Sequence, residues 1–204
     1  MYEDERWNKT LYPLMMRKKY HVGFFGKYHH LDPPLHIPAF SEIRTAPYSH
    51  FFKRSGVEKH VTQWNEDDST DFLKKRPKDK PFFLTVSFFA THAEDGSREQ
   101  YRPMNSSMSW YLDEPVPVPK THTDAHWRAL PYFFNERNVG RARFRGRYDT
   151  PEVYQHMMKN TYRMATEVDA ACGRIMKLIE EQGALDKTLI IFTTDNGNLH
   201  GQHG

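Results

Sequence analysis

Apolar positions along the chain fall into two patterns, short continuous runs and one long stripe of helical period. Three runs predict strands: Tyr20-His-Val-Gly-Phe-Phe25, Phe82-Phe-Leu-Thr-Val-Ser-Phe-Phe89 and Thr188-Leu-Ile-Ile-Phe-Thr193. The first ends in Gly26-Lys27, and the second lies between Lys80-Pro81 and Ala90-Thr91-His92. The second and third runs have so little polar alternation that they predict strands buried on both faces, in an α/β sheet covered by helices.

The stripe lies between Asp149 and Gly183. Asp149-Thr150-Pro151-Glu152 supplies an N-cap, a proline at the first helical position and acid in the first turn. Tyr154, Met158, Ala165, Val168, Cys172, Ile175 and Ile179 then recur at spacings of three, four or seven, which places them on one helix face. Gly183 predicts the C-terminal stop, leaving a short turn before the third strand. Such a helix is long, and the pattern also permits a break or a late start. A second helix is predicted within Trp7 to Tyr20, with Leu11, Leu14 and Met15 as its apolar positions. Residues 93–150 show little periodicity and contain the extended, proline-spaced Glu114-Pro-Val-Pro-Val-Pro119. An irregular stretch of that length inside a domain usually has a functional reason.

Composition narrows this picture. A chain of 204 residues predicts one domain with a real core. Its mean hydropathy of -0.82 describes a polar chain, and no apolar run is long enough to span a bilayer. The opening Met1-Tyr-Glu-Asp-Glu-Arg6 is charged and unlike a signal segment. A net charge of +3 is too small to argue for nucleic acid. The single cysteine, Cys172, excludes an internal disulfide and a cysteine-rich zinc site, and its place on the stripe predicts a core thiol.

The candidate chemistry sits just beyond the three runs. Gly26-Lys27-Tyr28-His29-His30 offers a cation for an anionic oxygen, with a histidine two residues on to orient or deprotonate a nucleophile. His92 could serve as a general acid or hold an anionic oxygen. Asp195-Asn196 offers two hard oxygen donors suited to Ca²⁺ or Mg²⁺. Each has a plainer reading: a polar turn at Lys27, one surface histidine among twelve, and an Asp-Asn-Gly turn. Ligands in open α/β sheets gather at the carboxyl ends of strands. Three such ends together describe a site for a small tetrahedral anion held against a divalent cation. A separate feature is Arg141, Arg143, Arg145 and Arg147, which an extended backbone would place on one face, against an anionic polymer or simply in solvent.

These three segments resemble signatures of the sulfatase family, within the alkaline-phosphatase-like superfamily. Tyr20-His-Val-Gly-Phe-Phe-Gly-Lys-Tyr-His29 is similar to the family's second signature, and Pro81–His92 to the strand that delivers its central histidine. Leu185–Gly197 is similar to the strand carrying its late metal ligands, Tyr162–Gly183 to the helix before that strand, and 114–119 to a substrate-side loop. The resemblance covers nearly the whole chain. Lys19, Val22, His30 and Thr91 depart from the signatures without removing a functional side chain.

The resemblance implies a mixed, mainly parallel sheet covered by helices on both faces, incomplete in residues 1–204. It implies sulfate-ester hydrolysis, with Lys27 contacting sulfate and nucleophile, His29 orienting the nucleophile and His92 donating a proton to the leaving oxygen. Asp195 and Asn196 would ligate a divalent ion, Ca²⁺ or alternatively Mg²⁺, and His203 would line the same rim. The substrate would be a sulfated small molecule or a sulfated glycan. The family's formylglycine comes from a Cys/Ser-x-Pro-x-Arg motif, and no such motif occurs here. Its N-terminal Asp-Asp metal pair is also missing. The chain is therefore expected to be a partial catalytic domain, inactive alone, with its first strand and nucleophile upstream and its C-terminal part downstream. Two other readings stand beside this one. One is a phosphodiesterase or phosphonate hydrolase of the same superfamily; the other is a non-catalytic binder of sulfated polymers through Arg141–Arg147.

Overall fold

The computed structural model describes residues 4–28 and 37–204. Helices α1 (Asp4–Trp7) and α2 (Leu11–Arg17) precede strand β1 (His21–Lys27). The helix predicted within 7–20 is thus divided, because the Thr10 hydroxyl and amide both donate to the Trp7 carbonyl and turn the chain there. Strand β2 (Glu42–Ala46) follows, then a hairpin of β3 (Phe51–Arg54) and β4 (Val57–His60). Ser55 and Gly56 both have positive φ, as a two-residue hairpin turn requires. Helix α3 (Val61–Lys75) leads to β5 (Phe82–Ser87), and α4 (Asp124–Arg128), α5 (Val139–Tyr148) and α6 (Pro151–Glu181) complete the helices.

The sheet has the order β2-β1-β5, with both pairings parallel. Strand β1 is central and alternates between two cores. Val22 and Phe24 face one side with Trp7, Tyr12, Met15 and Met16 of the N-terminal helices. Phe25 faces the other with Phe72 and Leu73 of α3 and Ile175 and Ile179 of α6. Helices therefore cover both faces, as the continuous apolar runs predicted.

Helix α6 is unbroken over 31 residues. Thr150 caps its start by accepting from the Val153 amide. At its end Gly183, at φ +64°, donates to the Glu180 carbonyl while Ala184 reaches back to Ile179, which satisfies two orphan carbonyls. The predicted stripe is buried except at Ala165, whose place is taken by Met164, and at the half-buried Cys172. Burial raises the Cys172 thiol pKa, as befits a core thiol.

Polar residues share that face and hold the irregular segment 99–120. Asn160 donates to the Tyr101 carbonyl, Arg163 to the Trp110 carbonyl, and Glu167 accepts from the Met104 amide and the Ser107 hydroxyl. Gln155 pairs with both backbone groups of Val116, and the Tyr154 hydroxyl donates to Pro117. A loop without a ladder must find partners for its backbone groups elsewhere, and here α6 supplies them.

Two expectations are corrected. Residues 188–193 form no strand: among the described residues no strand pairs with them, and Leu189 and Phe192 are 84% and 83% exposed. An apolar run supplies side chains for burial but does not by itself seat a strand: its amides and carbonyls must also enter a ladder, and 188–193 does not pair with β5 at the edge of the sheet. The alternating arginines are also not on an extended backbone. They lie on α5, where Arg141 and Arg147 are buried and all four meet carboxylates. Arg141 and Arg145 pair with Glu136, Arg143 and Arg147 with Asp95. On a helix, alternate residues do not share a face, so the single basic face on which polymer binding was premised is absent, and two shared carboxylates offset part of the charge.

Candidate functional site

Lys27 is the last residue of β1. Its place depends on Gly26, whose φ is +115° and where an added Cβ would lie 2.0 Å from the Ser87 carbonyl oxygen of β5. Only glycine permits that approach. The Lys27 ammonium stands 5.5 Å from the Tyr48 ring centre and 6.0 Å from that of Phe89. These are cation–π distances. Among the described residues no carboxylate lies within ion-pair distance of Lys27, so its charge remains available to an anion.

Two residues beyond β5 lies Phe89, which is buried. The His92 amide donates to the Phe89 carbonyl at 2.8 Å, folding a turn that leaves His92 exposed. The His92 ring lies 5.2 Å from the Phe89 ring. Its Nδ1 is 2.6 Å from the Ala93 carbonyl oxygen. A carbonyl only accepts, so Nδ1 carries the proton there and Nε2 is the free end of the ring. Lys27 and His92 thus flank one buried aromatic ring at the carboxyl ends of adjacent parallel strands.

The other expected residues are not joined to this pair. His29 lies outside the described residues. Asp195 and Asn196 are exposed, and their side-chain hydrogen bonds stay within 194–197: Asp195 Oδ1 accepts from the Asn196 amide and Asn196 donates to Gly197. This is the local Asx turn that the tripeptide also allowed. The strand-end argument for these two residues needed 188–193 to enter the sheet, which it does not do. His203 packs elsewhere, its amide on the Thr121 hydroxyl, beside a Gly201 carbonyl that meets the His122 ring.

A divalent ion makes further demands. A carboxylate and an amide oxygen are suitable hard donors, but Ca²⁺ takes six to eight oxygens and Mg²⁺ six. Among the described residues no group of three or more His, Cys, Asp or Glu side chains is arranged to hold a metal. Asp195 and Asn196 therefore fit such an ion in chemistry and fall short in number.

Beneath His92 lies a polar layer that no local pattern announces. His50 and His60 are fully buried, with rings 5.9 Å apart and parallel to within 1°. His50 Nε2 reaches the His92 carbonyl at 2.9 Å, and His60 Nε2 reaches that of Arg102 at 3.1 Å. Both groups are held neutral chiefly by burial, which lowers the His50 pKa and pulls that of His60 down to about 3. Burial also raises the Glu167 carboxyl, against the opposing hydrogen bond from Ser107. The partners in this layer are 42 or more residues apart, so no motif spacing could have found them.

Comparison with known proteins adds to this geometry. The Sulfatase family model matches residues 3–204. An arylsulfatase of Clostridium perfringens is 29% identical over 152 residues, covering 71% of this chain and 28% of that protein. The multifunctional alkaline phosphatase superfamily protein PehA of Trinickia caryophylli is 30% identical over 146 residues, covering 65% of this chain and 26% of that protein. The solved structure of BT4656 in complex with its substrate D-glucosamine-2-N,6-O-disulfate superimposes with a TM-score of 0.68 at 18% identity, covering 97% of this chain and 51% of the other. The chain thus spans about a quarter to a half of the length of these proteins.

Proposed function

The chain belongs to the sulfatase family, and on that premise we propose that its protein hydrolyses sulfate esters, with Lys27 and His92 as groups that meet the ester. The observation that carries this reading is their convergence on Phe89: a cation that meets no carboxylate among the described residues and a proton carrier, each against that ring at the carboxyl edge of the sheet. The Lys27 ammonium would bind sulfate oxygens and neutralise charge gathered on them in the transition state. As the sulfur–oxygen bond breaks, His92 in its doubly protonated form would give its Nε2 proton to the departing alkoxide, which leaves as the alcohol. The Nδ1–H bond to Ala93 would hold the ring in orientation throughout.

The family generally uses a formylglycine and a divalent metal. When present, these supply the nucleophile and further neutralisation of the sulfate. We place His29 beside the nucleophile and Asp195 and Asn196 among the ligands of a Ca²⁺ ion, on the resemblance of their motifs. The absence of a Cys/Ser-x-Pro-x-Arg motif supports reading residues 1–204 as part of a larger catalytic domain. The BT4656 substrate supports a sulfated sugar, or a sulfated small molecule, as the substrate class.

The test is kinetic. In the full-length protein, Lys27→Ala and His92→Ala should each lower turnover of an aryl sulfate by about 10²-fold or more. The 204-residue chain alone should show no turnover. Wild-type rates in both variants, or metal-dependent turnover by the isolated chain, would refute these assignments. The similarity to PehA, a multifunctional member of the alkaline phosphatase superfamily, is compatible with one second reading, a phosphodiesterase or phosphonate hydrolase of the same superfamily. Paired kinetics on phosphate and sulfate esters separate the two.

A further inference from the structure

His50 is fully buried, yet its ring makes polar contacts toward the turn that carries His92. Its Nε2 lies 2.9 Å from the His92 carbonyl oxygen, an atom that only accepts, so His50 is the donor and its ring is the Nε2–H tautomer. Its Nδ1, which bears no proton in this tautomer, lies 3.3 Å from Glu94 Oε2 without a hydrogen bond to it, so Glu94 holds His50 through the backbone. The same carboxylate accepts from the His50 amide at 3.0 Å and from the Ser49 hydroxyl at 3.1 Å. The ring also packs on Phe89 at 5.2 Å, the residue that Lys27 and His92 share. The segment entering β3 is therefore tied to this turn at two points, the carbonyl of 92 and the side chain of 94.

Packing alone does not account for an imidazole at this position. Burying it carries a desolvation cost, visible in its lowered pKa, which a hydrocarbon side chain among these aromatic rings would avoid. What imidazole adds is a donor aimed at the His92 carbonyl.

We propose that His50, braced by Glu94, is a positioning residue that aims the His92 imidazole by holding its backbone carbonyl. The inference rests on His92 being the proton donor of the preceding reading. His50 itself touches no reacting atom. It fixes where the exposed ring begins, while the Ala93 carbonyl fixes how the ring is turned. A displacement of about 1 Å in such a group can cost about 10²-fold in rate.

The test compares His50→Leu, His50→Gln and His50→Asn. Glutamine carries an amide donor near the position of Nε2, whereas asparagine carries one near Nδ1. In the full-length protein the Leu and Asn variants should lose about 10²-fold in kcat on an aryl sulfate with KM nearly unchanged, and Gln should recover most of it. In the 204-residue chain labelled with ¹⁵N-histidine, the Nδ1–H signature of His92 should persist in wild type and the Gln variant and become a tautomer mixture in the other two. The proposal is overturned if His92 has the same signature in every variant, or if Gln is as impaired as Asn. Should the Leu variant fail to fold, the Gln–Asn comparison decides alone. Should wild type not hydrolyse sulfates, the functional reading fails, and the tautomer measurement still decides the role of His50.

Discussion

Gly26 determines the position of Lys27 through a steric fact one atom wide. An added methyl at φ +115° would stand 2.0 Å from the Ser87 carbonyl oxygen, a backbone atom that cannot turn aside. Gly26→Ala should therefore part β1 from β5 at the end that carries the candidate site. The expected cost exceeds the ~1–3 kcal/mol of ordinary overpacking, and anion binding at Lys27 should fall with it. Gly56→Ala is the control: its glycine is also at positive φ, at +83°, but with nothing within 4 Å, so only backbone strain of about 1 kcal/mol is expected. Denaturant titration of both variants checks the contrast, and equal losses would refute it. Lys27 and His92 were legible at this scale because Lys27 ends its strand and His92 follows its own by a few residues. His50 and Glu94 were not, since their partners are brought close only by the folded chain.

The elements show the same division. The stripe on α6 was readable because seven apolar positions keep a helical period, and its buried Met164 anchors the core that includes Tyr101 and Tyr154. Met164→Ala should cost about 2–5 kcal/mol. On the outer face Arg174 pairs with Glu66 of α3, but its side chain is 54% exposed, so Arg174→Ala should cost no more than about 1 kcal/mol. Thermal unfolding that ranks the two the other way would contradict this account. Helix α3 escaped notice for two physical reasons. Its buried face includes Asn65, Asp68 and Ser69, which blur an apolar stripe. Its N-cap is His60, whose Nδ1 accepts from Thr62 while Gln63 accepts from the His60 amide, a capping box without the usual Ser or Thr. The run at 188–193 shows the opposite error, a strong local pattern that enters no ladder.

For the molecule as a whole, the buried histidines set a pH dependence. The folded pKa values of His50 and His60 are depressed, that of His60 to about 3 from 6.5. Below pH 6.5 the unfolded chain binds these protons and the folded chain does not, so stability rises with pH in this window. Their contribution is fully present above about pH 6.5 and drains as pH falls toward the folded values. Glu167 acts in the opposite sense: its carboxyl is raised from 4.5, so its contribution is complete below that value and lost as pH rises through the folded one. With two fully buried histidines against one carboxyl, Tm should fall between pH 7 and pH 4.5 with net proton uptake on unfolding. His60→Leu should flatten that slope; a Tm that holds or rises on acidification would refute the assignment. The sequence alone determined the class of fold, two of its sheet strands, the long helix, and the placing of Lys27 and His92 at strand ends, because each is encoded by neighbours along the chain. Tertiary structure alone decided that those two share Phe89, that the arginines lie on a helix and meet carboxylates, that 188–193 stays out of the sheet and that the His50 ring reaches the His92 carbonyl. Each of these depends on which distant residue supplies a hydrogen bond, a counter-charge or a strand edge, and local pattern carries no record of that.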